Sequence, residues 1–146
     1  MDPPRIGVEL AGPGADPGGW LAEATAYEAA GVDSLWVRGG DDDDPWLLLA
    51  ALAAVTWRVR LGVVPGAPPP AGVAATLERL SRGRLVGPGE RWTRAAPAPG
   101  RRAWAEALAG AGDADGLLVP ASPGLLDLLR NPDEEDDRGD LRLTYG

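Results

Sequence analysis

Ser34-Leu35-Trp36-Val37, then Asp44-Pro45 opening an apolar run to Thr56, then Arg60-Leu61-Gly62-Val63-Val64: this stretch decides the fold. After Ser34, Leu35-Trp36-Val37 is apolar without alternation, the pattern of a parallel strand covered on both faces. Asp44 offers a side-chain acceptor to the free N–H groups of a helix start, and Pro45 brings the backbone angle that a first helical position needs. A second apolar strand follows directly. Strand, crossover helix and strand within about thirty residues make a unit with parallel strands.

The same grammar extends in both directions. Arg5-Ile6-Gly7-Val8-Glu9-Leu10 reads as a first strand closed by Gly12-Pro13-Gly14. Asp16-Pro17 starts a helix with Trp20, Ala24, Tyr27 and Ala30 on one face and Gly31 at its left-handed end. Downstream, Val73, Leu77 and Leu80 give a third helix an apolar face, and Arg84-Leu85-Val86 reads as a fourth strand. Arg91 to Gly100 has no clear period and reads as a loop. A helix around Trp104 and Leu108 follows, then a fifth strand at Gly116-Leu117-Leu118-Val119. Ser122-Pro123 is expected to cap a helix carrying Leu125, Leu126, Leu128 and Leu129, which Asn131-Pro132 ends.

Asp133-Glu134-Glu135-Asp136-Asp137 has no apolar side chain, so residues 131–140 are expected to form an acidic mobile loop before a sixth short strand at Leu141 to Tyr145. The strand starts recur every 24 to 32 residues or so within what reads as a single domain, 1–146. Two architectures share this rhythm, an open doubly wound sheet and part of an eight-fold barrel. A full barrel typically takes roughly 250 residues, more than the 146 present. Open sheet edges invite pairing, and a homodimer or heterodimer through those edges is expected.

Composition removes whole classes of chemistry. The sequence has no Cys and no His, which excludes disulfides, thiolate nucleophiles, the usual zinc sites and imidazole acid–base catalysis. Ser34, Ser81 and Ser122 therefore have no histidine for a hydrolase triad, and there is no Lys for a Ser–Lys variant. A net charge of −8 disfavours general nucleic-acid binding, which needs a basic surface. The start of the chain carries no basic segment followed by a long apolar run. The longest apolar stretch, Pro45 to Val55, is too short to span a bilayer. A cytoplasmic protein without membrane or nucleic-acid partners is expected. Asp41-Asp42-Asp43-Asp44 supplies oxygens that hard cations favour, but helix capping accounts for the run, and no metal is expected.

Several words of the sequence occur in the order and spacing of a known family. They are Tyr27-Glu28-Ala29-Ala30-Gly31-Val32-Asp33-Ser34-Leu35-Trp36-Val37, Pro45 through Thr56, Arg58-Val59-Arg60-Leu61-Gly62, and Ala74 through Val86. Over roughly residues 5 to 92 the chain resembles the luciferase-like monooxygenase superfamily, barrel enzymes that use FMN or a deazaflavin (coenzyme F-420). The resemblance implies an α/β fold, a partial (βα) TIM-like barrel of about five to six parallel strands with helical crossovers. It implies a shortened oxidoreductase that binds a reduced flavin or deazaflavin at the carboxyl ends of strands two to four, with a small-molecule substrate. The other reading it allows is a non-catalytic partner subunit or scaffold.

The resemblance also distributes roles. Gly62, Val63 and Val64, at the end of the third strand, are expected to back the isoalloxazine ring. Glu90, Arg91 and Trp92 follow the expected fourth strand, where they would supply an acid, an anion clamp and a stacking surface. In the deazaflavin branch an Asp-His pair follows the second strand; here Arg38-Gly39-Gly40-Asp41 follows, and Asp41 is the acid nearest that place. Asp41 and Glu90 are therefore the candidate catalytic groups, with Gly62, Val63, Val64, Arg91 and Trp92 as cofactor-binding candidates.

Overall fold

The computed structural model describes residues 3–40, 42–64, 68–96 and 100–131. Asp41, residues 65–67, the expected acidic loop from residue 132 onward and the expected sixth strand at 141–145 lie outside them. The elements are β1 (Arg5–Leu10), α1 (Pro17–Ala29), β2 (Ser34–Arg38), α2 (Pro45–Val55), β3 (Arg60–Val64), α3 (Ala71–Ser81), β4 (Trp92–Arg94), α4 (Arg101–Ala109), β5 (Gly116–Pro120) and α5 (Leu125–Arg130). All five strands pair in parallel in the order β3-β2-β1-β5-β4.

The local signals at the helix ends act as expected. The Asp16 side chain accepts from the Gly19 N–H at 2.9 Å, and Asp44 accepts from the N–H groups of Trp46 and Leu47. Gly31 carries the positive φ of +93° that lets the chain leave α1 and enter β2. The Glu28 carboxylate then ties α1 to the turn before β3, accepting from the backbone N–H groups of Trp57, Arg58 and Val59. Burial pushes that carboxyl up, but the three backbone donors outweigh it and hold its pKa below the usual range.

Three expectations are corrected. The fourth strand is Trp92–Arg94, inside the segment read as a loop, while Arg84-Leu85-Val86 makes only an isolated bridge, Leu85 to Leu61. Leu80 is 55% exposed, because the α3 residues turned fully inward are Leu77 and Ser81. Ser122 does not cap α5 with its side chain; the helix begins at Leu125, after Gly124.

Alternate residues of each strand face two different interiors. Val8, Leu10, Leu35, Val37, Leu61, Val63, Leu117 and Val119 face the helices and form one core with Trp20, Tyr27, Leu49, Leu52, Leu77 and Trp104. The opposite face curls inward. Trp36 on β2 and Trp92 on β4 are separated in the sheet by β1 and β5, yet their rings meet edge to face at 5.2 Å between centroids. Arg60 on β3 and Glu90 just before β4, from the two outer strands, form an ion pair at 2.8 Å. The sheet is a curled half-barrel, and residues 85–91 bridge its outer strands.

Glycines make room for this curl. A Cβ on Gly62 would lie 2.5 Å from the Trp36 ring, and one on Gly7 would lie 2.6 Å from its Nε1. Gly116 is pressed in the same way by Trp92, its partner in register. Two indoles thus fill the middle layer of the barrel, much as branched side chains fill the interior of a full barrel.

Candidate functional site

The inner face is layered along the strands, and each end carries its own charged cluster. At the amino end, Arg60 donates to Asp33 and to both oxygens of Glu90, and Arg5 pairs with Glu90 at 2.9 Å. The Arg5 guanidinium also lies 5.9 Å above the Trp92 ring. Burial would raise the Glu90 pKa, but the hydrogen bonds and charge of Arg60, with Arg5, outweigh it and hold the carboxyl below its ordinary range. The same two acids raise Arg60 against its own desolvation. Two acids face two arginines, so the cluster is neutral and closes this end.

At the carboxyl end, Glu9 is the only buried acid among the described residues, 7% exposed. Its Oε1 accepts from Arg38 Nε at 3.0 Å and pairs with Nη2 at 2.9 Å; Oε2 accepts a short bond from Arg94 Nη2. The arginine side chains are 43% and 52% exposed. Arg38 and Arg94 end β2 and β4, so this cluster forms the rim of the barrel, where sites in such folds gather.

Beneath that rim a cavity of about 730 Å³ runs along the gap between β3 and β4. Trp36, Trp46, Trp92, Val64, Val86, Pro88 and Leu118 contribute its apolar wall, Arg94 stands at its mouth, and Glu90 lies at its amino end. The Trp92 Nε1 is buried without a hydrogen-bond partner. A smaller cavity of about 380 Å³ lies beyond Arg38, lined by Leu10, Gly12, Gly39 and Asp43.

The structure gathers Gly62, Val63, Val64, Glu90 and Trp92 in the larger cavity. Val63 belongs to the helix-facing core, while Gly62 is covered by Trp36, so Val64 is the member of this trio with an inward side chain. Glu90 and Arg91 precede a strand instead of following one, which puts them at the amino end. The Arg91 backbone N–H donates to Asp115 and its guanidinium to the Asp113 carbonyl, away from the cavity. Asp41 lies outside the described residues.

Glu9, Arg38 and Arg94 were not singled out by sequence reasoning. Glu9 carried a signal, since an acid one register step from Gly7 in an otherwise apolar buried strand needs a partner. Arg94 carried none, because its strand was not recognised. Among the described residues no three acids converge as a metal-binding group, and no helix is long and apolar enough to cross a membrane.

Chemically, the cavity offers apolar and aromatic walls and a cation at its mouth. It offers no proton donor at neutral pH, since Glu90 is held ionised. Comparison with known families gives a match over residues 1–112 to the model described as luciferase-like monooxygenase. No solved structure matches the chain.

Proposed function

Because the chain belongs to the luciferase-like monooxygenase family, and is thereby related to flavin-type oxidoreductases, we propose that it holds the ring of a flavin or deazaflavin in the cavity between β3 and β4. The observation that carries this reading is the cavity: it lies within the size range of small-molecule sites and is walled by three indoles. The residues fit a planar, apolar ring. Trp46, Val64 and Pro69 supply apolar walls for it on the β3 side of the cavity.

The cofactor, when bound, supplies the hydride or electron chemistry. The chain's own part is to orient the ring and exclude water from one side of it. Trp36 forms the floor and is itself fixed by donation from its Nε1 to Ser34 Oγ at 2.8 Å. Neither Glu90 nor Arg91 takes part in proton transfer in this reading. FMN and a deazaflavin titrated into the purified protein are expected to quench tryptophan fluorescence saturably, with a matching calorimetric signal. No change at millimolar coenzyme overturns the reading.

A second reading, a subunit that works paired with another chain, has a different observation behind it. Leu47 and Leu80 are 71% and 55% exposed and border an apolar groove of about 340 Å³ between α2 and α3. A second chain of the same fold seated there would cover both. Light scattering is expected to show a dimer, which Leu80→Asp dissolves; a monomer at high concentration overturns it.

A further inference from the structure

The carboxyl-end cluster has one carboxylate for two guanidiniums, and this imbalance has a chemical consequence. Glu9 engages Nε and Nη2 of Arg38 but only Nη2 of Arg94. Arg94 Nε and Nη1 have no partner among the described residues, and its side chain is half exposed at the mouth of an apolar cavity. The carboxylate that lines that cavity, Glu90, is already matched by Arg5 and Arg60. On the far side of Arg38, Asp43 lines the smaller cavity and repels an anion there. The unmatched positive charge therefore faces the larger cavity, whose apolar walls strengthen a charge-assisted hydrogen bond.

We infer that the small-molecule substrate taken into this cavity on its β4 side, beside the ring, is an organic acid, its carboxylate held by Arg94 and its apolar body against Trp92, Val86, Pro88 and Leu118. Glu9 is a positioning residue: buried and doubly bonded, it holds both guanidiniums in place without touching the ligand. The inference rests on the reading of this cavity as the binding site, and it adds the ligand's charge and class.

Tryptophan fluorescence tests it directly, with benzoate and the isosteric neutral benzamide as probes. Benzoate is expected to bind at least about tenfold more tightly than benzamide, the scale of one charged hydrogen bond. Arg94→Gln is expected to bring benzoate down to the level of benzamide, while Arg94→Lys keeps part of the preference. Far-ultraviolet dichroism checks that each variant folds. Equal affinity for acid and amide, no saturable signal from benzoate, or a preference that survives Arg94→Gln overturns the inference. A parallel FMN titration separates the two proposals. Acid preference without FMN binding refutes the flavin reading alone, and FMN binding without acid preference refutes the acid clamp alone.

Discussion

The two ends of the half-barrel are built from the same parts and do opposite things. At the amino end a carboxylate, Glu90, lies between Arg5 and Arg60, with Asp33 completing a neutral set. At the carboxyl end a carboxylate, Glu9, lies between Arg38 and Arg94, with no second acid on either guanidinium among the described residues. Arg60 is only 26% exposed, whereas Arg94 is 52% exposed. Charge balance, more than residue type, separates the closed end from the open rim. A matched cluster gains nothing from another ion, and an unmatched one beside an apolar cavity does.

The largest test removes the layer between the two ends. Trp36→Ala empties the space that Gly7 and Gly62 leave for the indole and is expected to lower stability by about 3–5 kcal/mol, measured by urea unfolding. A loss below about 1 kcal/mol would mean that the curl does not depend on this plug. Next is the closed end. Glu90→Gln leaves Arg5 without its acid and Arg60 with Asp33 alone, and is expected to lower stability by about 2 kcal/mol.

That variant has a pH signature. The folded Glu90 pKa lies below its ordinary value of 4.5, so its stabilising contribution is present above that value and is lost as pH falls through the folded pKa. Unfolding measured from neutral to acid pH is therefore expected to be less steep in Glu90→Gln than in the parent. Identical slopes would remove the closed end from the comparison.

Gly62→Ala pushes a methyl against Trp36 and is expected to destabilise by about 1–2 kcal/mol, with a change in tryptophan emission that a surface Gly→Ala change at Gly72 does not produce. The smallest expected effect is at the rim, where Arg94→Gln changes stability by less than about 1 kcal/mol, because a half-exposed pair contributes little. Equal losses from Glu90→Gln and Arg94→Gln would erase the distinction between the two ends.

Much of the fold was legible because its signals are local. The caps at Asp16-Pro17 and Asp44-Pro45 and the glycine exit at Gly31 act within a few residues, so the strands around Arg5, Ser34, Arg60 and Gly116 could be placed closely. β4 escaped because Trp92-Thr93-Arg94 is three residues long and mostly exposed, and its strand character comes from pairing with β5. Leu85-Val86 misled for the reverse reason, having strand composition but only one bridge. The cavity was half legible: Gly62, Val64 and Trp92 were named, but moving β4 put Glu90 and Arg91 at the opposite end from the one expected.

By itself the sequence determined the alternation of parallel strands and helices, the absence of imidazole and thiol chemistry, and membership of a flavin-related family. Tertiary structure alone decided that Trp36 meets Trp92, that Glu90 closes the barrel, and that Glu9 gathers Arg38 and Arg94 at its rim. The reason is range. Caps and periodicity are satisfied by neighbours in the chain, whereas each of these contacts joins residues at least 29 positions apart and exists only once the sheet has curled.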